Sequence, residues 1–226
     1  DDLLSHFSLI SMNLYDRGLI WTGTREGLNR YNGNDIKSFK LKKNDPNSLF
    51  SNTVLRITGN KKGKVYLLCT DGIAEFDLTT QRFKTLLQWN VDAIYYNEKL
   101  YIGKREEVFV YNESTGNFDL YYHLAGKDIT LSCLHLDDKK NLWMGTTGNG
   151  VYCLSENKTV SQPITKGNMT SIYEDSSKEL WIGSWEEGLY HITTDGNIKN
   201  LRHDPQNPNS LCSDFVRSCC EDNAGN

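Results

Sequence analysis

One short segment is written five times along this chain, and that repetition constrains the fold more than any other feature. It reads LIWTGTREGLNRY from Leu19 to Tyr31, KVYLLCTDGIAEF from Lys64 to Phe76 and KLYIGKREEVFVY from Lys99 to Tyr111. It returns as NLWMGTTGNGVYC from Asn141 to Cys153 and ELWIGSWEEGLY from Glu179 to Tyr190. In each copy an apolar run led by an aromatic meets a short polar turn, and a second apolar run follows. That is the pattern of two strands joined by a tight connection. The leading aromatics Trp21, Tyr66, Tyr101, Trp143 and Trp181 are spaced by 45, 35, 42 and 38 residues, a mean of 40. A period near forty with several short strands per copy is the mark of a β-propeller blade. Helical solenoids would show 3.6-residue periodicity instead.

Four strands can be cut from each copy. In the fourth they are TLSCLHLDD, NLWMGTT, NGVYCLSE and a weaker KTVSQPIT, the first two joined by a hairpin at Asp137-Asp138-Lys139-Lys140-Asn141. Leu131, Cys133 and His135 alternate imperfectly with Ser132, Leu134 and Leu136, as expected of a strand covered on both faces. The first copy gives SLISMNLYD, LIWTGT, GLNRYNG and IKSFKLK, with a turn at Asn32-Gly33. Hairpins are expected at Lys61-Lys62-Gly63 in the second copy and Asn97-Glu98-Lys99 in the third. The expected fold is therefore all-β, a propeller of four-stranded antiparallel blades at about residues 8–41, 53–88, 91–124, 129–165 and 169–203. The loops KKNDPNSLFSN and RHDPQNPNSLCSD join blades, their proline and asparagine fixing turns and excluding further ladder pairing. The final stretch, FVRSCCEDNAGN from Phe215 to Asn226, reads as the first strand and hairpin of a sixth blade, so the expectation is the front part of a larger ring.

Composition narrows the function. Aromatics make up 11% of the residues, which suits thin β layers, and hydrophobic residues 38%. A net charge of −4 and scattered basic residues give no field for nucleic acid. No run of eighteen apolar residues is present, and DDLLSHFSLI lacks the basic start and apolar core of a signal peptide. The cysteines Cys69, Cys133, Cys153, Cys212, Cys219 and Cys220 form no CxxC pair, so buried free thiols are expected; adjacent Cys219 and Cys220 would point to opposite faces of a strand.

The recurring residues read as scaffold. Gly23, Gly103, Gly145 and Gly183 would mark a close approach of the neighbouring blade, with the aromatics filling the space between blades. Leu68 stands in that place in the second copy, so its blade should pack differently. A second glycine, at Gly27, Gly72, Gly150 and Gly188, closes the turn and is a candidate for positive φ, while Glu107 replaces it in the third copy. Between the two glycines the residues vary on a constant frame, which is where recognition would be placed. They are Arg25 and Glu26, Lys104 with Arg105 and Glu106, Thr147 and Asn149, and Trp185 with Glu186 and Glu187. Trp185 is the sharpest candidate, its counterparts being read as Arg25, Lys104 and Thr147. An exposed indole can stack on a sugar ring while adjacent carboxylates take hydroxyls.

No catalytic set stands out. Asp92, Asp137, Asp138, Glu174, Asp175 and Asp214 lie on or near innermost strands, but a glycosidase needs two opposed carboxylates about 5 to 9 Å apart. Those at the hairpins are read as turn residues. His6, His123, His135, His191 and His203 are scattered without metal spacing, and no GxSxG elbow occurs. Gly148-Asn149-Gly150 sits in a β-turn and is no dinucleotide loop. Neither cofactor nor metal is expected. The sequons at Asn112, Asn157 and Asn168 matter only in a eukaryotic secretory route.

LWIGSWEEGLY, LWMGTTGNGVY and LIWTGTREGLNRYNG, together with the NDPNSLFSNTV and DPQNPNSLCSDFV linkers, resemble the regulator-propeller repeat. That repeat is typical of periplasmic sensor regions in hybrid two-component systems of gut Bacteroidetes. The resemblance spans essentially the whole chain and departs from the pattern at Leu68 and Glu107. It implies a sensor region of two seven-bladed propellers and a small β-sandwich. Beyond the membrane it implies a histidine kinase, a receiver and a DNA-binding module. It further implies an oligosaccharide ligand, transcriptional control of carbohydrate use, and a homodimer whose contacts fall outside this stretch. The repeat motif describes scaffold residues and transfers no ligand contact. A propeller glycosidase or lyase and a protein-interaction scaffold remain the competing readings.

Overall fold

The structure is a computed structural model and describes residues 9–15, 18–60, 63–125, 128–222 and 224–225. Ser8 and Asp16 of the expected first strand, Lys61 and Lys62 of the second hairpin, His6, Asn223 and Asn226 lie outside the described residues. The chain divides into two compact units, residues 1–102 with 109–120 and residues 103–108 with 121–226.

The fold is an all-β propeller built from antiparallel sheets whose strands lie side by side in chain order. The first sheet holds β1 (Leu9–Tyr15), β2 (Leu19–Thr24), β3 (Gly27–Tyr31) and β4 (Ile36–Phe39). In the second are β5 (Val54–Asn60), β6 (Lys64–Cys69), β7 (Gly72–Asp77) and β8 (Arg82–Leu87). β9 (Ala93–Asn97), β10 (Lys99–Lys104), β11 (Glu107–Asn112) and β12 (Asn117–His123) make the third. The fourth has β13 (Leu131–Leu136), β14 (Leu142–Thr146) and β15 (Val151–Leu154), and the fifth β16 (Met169–Glu174), β17 (Leu180–Ser184), β18 (Leu189–Ile192) and β19 (Ile198–Leu201).

Within each unit the core lies between consecutive sheets. Trp21 and Leu28 of the first sheet are buried with Val54, Val65, Leu67 and Phe76 of the second. Trp21, Phe39, Phe76 and Phe83 interlock there at ring separations of 4.6 to 6.0 Å. In the second unit Trp143 and Val151 pack with Met169, Ile182 and Tyr190. The motif glycines sit where these sheets approach most closely. A methyl group on Gly23 would lie 2.8 Å from Val54, on Gly145 2.9 Å from Met169, and on Gly183 2.7 Å from the Val216 carbonyl. At Leu68 the arrangement changes: the side chain is 2% exposed and shares a cluster with Tyr66, Val91, Ile94 and Ile102.

Four expectations are corrected. The broken alternation in β13 comes from a bulge between Leu131 and Cys133, repeated at Leu9/Ser11, Val54/Arg56 and Met169/Ser171. A bulge leaves one residue outside the ladder, and Ser132 uses that freedom to donate its hydroxyl to the Met169 carbonyl at 2.7 Å. KTVSQPIT is an edge segment rather than a regular strand, touching β15 through a Leu154–Val160 bridge and two hydrogen bonds, Ser161 N to Cys153 O and Ile164 N to Val151 O. Pro163 has no N–H to continue the ladder. Residues 215–222 form no strand either, although they occupy a first strand's place beside the fifth sheet. Val216 N donates to Ser184 O at 2.9 Å, and Thr170 Oγ1 donates to the Val216 carbonyl as Ser132 does to Met169. A first strand takes its ladder from the second strand of its own blade, and none follows among these residues. All six cysteines are free as expected, but Cys212 and Cys220 are exposed rather than buried.

The hairpin acids hold the indoles of the motif. Trp143 Nε1 donates to Asp137 Oδ2 and Trp181 Nε1 to Asp175 Oδ2, both at 2.8 Å, while the other carboxylate oxygens accept Asn141 N and Glu179 N. Burial alone would raise the Asp175 pKa, but the donors from Trp181, Glu179 and Ser177 hold it below the ordinary value. Stability from this carboxylate is thus complete above about pH 4, the unfolded-chain value, and is lost as pH falls through the lower folded value. Asp175→Asn is expected to flatten the acid limb of a plot of urea midpoint against pH. An unchanged acid limb would show that Asp175 carries none of it.

Candidate recognition site

The turns between second and third strands are built on one device. In the first sheet Thr24 Oγ1 donates to the Gly27 carbonyl at 3.0 Å and accepts Glu26 N at 3.1 Å. Thr146 repeats this with Gly150 O and Asn149 N, and Ser184 with Gly188 O and Glu187 N. These hydroxyl residues are buried, and their signal in the sequence is a Thr or Ser directly after the first glycine in three copies, a position not among the expected site residues. Lys104 holds this place in the third sheet, at the end of β10. The counterpart of Trp185 there is consequently Arg105, two residues after Gly103 as Trp185 is two after Gly183, and not Lys104. Arg105 also takes up the left-handed conformation, at φ 49°, in the turn where Glu107 replaces glycine.

The turns differ in length. β2 and β3 are joined by Arg25 and Glu26 alone, whereas Thr147-Gly148-Asn149 and Trp185-Glu186-Glu187 each have one residue more. In the first unit Arg25 and Glu26 are exposed, and Glu26 pairs with Lys40 at 3.4 Å. In both units the turns are tied to chain entering a blade, Arg25 by Thr53 Oγ1, which donates to its carbonyl at 3.3 Å. The Arg105 carbonyl accepts Leu131 N, Thr147 N donates to Thr130 O, and Trp185 N donates to Asn168 O. Asn149 forms a bridge with Gly167.

Trp185 presents an indole 54% exposed, its ring 4.4 Å from that of Phe215 and inclined at 52°. The turn beneath it is braced by Arg202, which reaches Glu187 Oε2 at 2.6 Å, Asp214 Oδ2 at 2.7 Å and the Glu186 carbonyl at 2.9 Å. The Arg202 donors hold the Asp214 carboxyl below its usual value, and Arg202 in turn is pushed up. Glu187 is therefore committed to the protein, whereas the Glu186 carboxylate and the outer indole face solvent. The other acids named from sequence are dispersed: Glu174 lies 3.6 Å from His135, and Asp138 pairs with Lys178 at 3.5 Å. Burial lowers the His135 pKa, with Glu174 opposing it. Among the described residues no three His, Cys, Asp or Glu side chains gather as metal ligands. A cleft of about 690 Å³ in the first unit opens at the opposite strand ends, beside the β9–β10 hairpin.

Residues 163–186, ending within the Trp185 turn, match the family model described as two component regulator propeller. No curated protein matches the chain. Among solved structures, a B. thetaiotaomicron extracellular domain described as that of a hybrid two component system has TM-score 0.84 at 21% identity, covering 99% of this chain and 32% of its own. A second such domain from the same organism has TM-score 0.67 at 17% identity, covering 100% and 37%. Staphylococcus aureus virginiamycin B lyase has TM-score 0.69 at 17% identity, covering 87% and 71%. The chain thus spans about a third of the two extracellular domains it resembles. At these identities the likeness is one of fold. No helix among the described residues is long and apolar enough to cross a membrane.

Proposed function

We propose that this chain is part of a periplasmic, non-enzymatic sensor region that recognises a glycan-derived oligosaccharide and signals to a histidine kinase in the same full-length protein. The regulator-propeller repeat at residues 163–186 supports the sensor class. One observation carries the ligand class, the half-exposed Trp185 indole beside the free Glu186 carboxylate on a turn that Arg202 holds rigid. Packing does not require an indole there, because its counterparts are Arg25, Arg105 and Thr147. Pre-arranged aromatic faces bind sugars with little ordering cost, since neither ring nor turn must be fixed on contact. A ligand transmits a signal only through different affinities for two arrangements of its receptor. In this reading the Trp185 turn, with the Lys104-Arg105 turn and the Thr147 to Asn149 turn of the same unit, supplies that difference, and the Arg25-Glu26 turn is a separate candidate in the first unit.

The test is a thermal-shift and calorimetric screen of oligosaccharides against the full sensor region. A cognate sugar is expected to raise Tm, and Trp185→Ala to weaken its binding about tenfold, about 1.4 kcal/mol, with little change in unliganded stability. An absence of shift across a broad panel would remove sugar sensing. Unaltered affinity in the variant would remove Trp185.

A further inference from the structure

The first unit contains a second place with the chemistry of a ligand site, at the strand ends opposite the variable turns. The cleft of about 690 Å³ lies between the second and third sheets, a size within the range of about 300 to 1,000 Å³ usual for small-ligand sites. Its floor is aromatic. The rings of Tyr66 and Tyr96 stack at 5.3 Å with planes 19° apart, and Tyr111 packs on Phe118 at 5.0 Å. Tyr66 is 1% exposed and Tyr111 8%, so these rings back the cleft, and Tyr96, half-buried, is the one with a face toward it.

The rim mixes donors and acceptors, and several are already fixed. Asn112 Nδ2 donates to Asp119 Oδ2 at 2.9 Å, and Asn112 Oδ1 accepts Ser114 N and Thr115 N at 3.1 and 3.3 Å, which locks the amide. Lys64 Nζ lies 3.1 Å from Glu75 Oε2, so its charge is met from within the protein. The remaining charges on the wall are Lys99 against Glu98, Glu113 and Asp119. Counted with Lys64, the lining sets two ammonium groups against three carboxylates, close enough to balance that it favours neither an anion nor a simple cation. Burial, with Glu75 and Tyr96 nearby, pushes the Tyr66 phenol up in pKa, so it stays protonated. A locked amide, carboxylate acceptors and ammonium donors above stacked rings suit a molecule with many neutral hydroxyls and an apolar ring face.

We propose that this cleft is a binding site for a neutral sugar, separate from the Trp185 turn and independent of whether that turn binds sugar. The two sites share no residue, and the cleft lies at the strand ends away from the variable turns of its own sheets. They can therefore be filled separately.

The test uses the full chain with ring-13C-labelled tyrosine, the cleft signals being assigned with Tyr96→Phe and Tyr111→Phe, and maltotriose, cellotriose and mannotriose as probes. At least one trisaccharide at millimolar concentration is expected to shift the Tyr66, Tyr96 or Tyr111 ring signals. Asn112→Ala and Glu113→Gln should weaken that shift at least tenfold in apparent Kd without altering the unliganded spectrum elsewhere, whereas Trp185→Ala should leave it in place. Three results overturn the proposal. They are sugar binding that leaves the cleft rings unmoved, cleft shifts abolished by Trp185→Ala, and cleft shifts produced by choline or inorganic phosphate but by none of the sugars. The first leaves the Trp185 reading standing, so the two inferences fail separately.

Discussion

Gly150→Ala is expected to destabilise the protein by about 3 kcal/mol or more, whereas Gly148→Ala two residues away should cost about 1 kcal/mol. Both glycines have positive φ, 72° and 90° respectively. An L-residue is strained at either. Only at Gly150 does a second effect apply, because an added Cβ would fall 2.0 Å from the Thr165 carbonyl oxygen and 2.5 Å from its carbon. That neighbour is backbone and cannot rotate away. At Gly148 nothing lies within 4 Å. The same meeting with a carbonyl recurs at Gly27, Gly72 and Gly188, so the edge segment of each of these sheets is pressed against the turn. Urea unfolding of the two variants followed by circular dichroism measures the difference. Equal midpoints would mean that the edge segment moves aside, and the close approach would then carry no energy.

Leu68→Gly, which restores the residue found in the other four copies, is expected to cost about 4 kcal/mol. Reasoning from the repeat alone predicts the opposite, since consensus substitutions commonly stabilise. Leu68 is nevertheless 2% exposed in a cluster with Val91, Ile94 and Leu100. Truncating a buried leucine to alanine costs about 2–5 kcal/mol through lost transfer energy and a residual cavity. Glycine in a strand adds about 0.5–1 kcal/mol. Where Gly23 and Gly145 admit a neighbour's side chain, Leu68 supplies the filling itself. A Leu68→Gly protein as stable as the parent would show that the second sheet can close as the others do.

Much of the fold is local and could be read early. Strand, turn and strand are encoded within a few residues of one another, and so Trp21, Trp143 and Trp181 announce the same element each time. The role of the motif glycine was also legible, because a close approach of a neighbouring chain is one of the few reasons for a glycine inside an apolar strand. Other features were not. The bulge in β13 depends on where Ser132 finds a carbonyl on the next sheet, 37 residues away. Among the candidate residues, Glu187 is as available as Glu186 by sequence, and only the fold brings Arg202, just past β19, to hold it. The signal for the buried Thr24, Thr146 and Ser184 was present in the repeat, but polar residues beside a turn are easily taken for exposed ones.

From its own order of residues the chain determines a succession of short antiparallel strands, their hairpins, and the few positions where the backbone needs glycine. Those are short-range matters of pleat, sterics and turn geometry. Which side chains meet was decided only by packing one sheet against the next. Tyr66 and Tyr111 are 45 residues apart in the chain and line one cleft. Nothing within either repeat specifies that meeting, because the distance between residues of different blades is set by the core that forms between them.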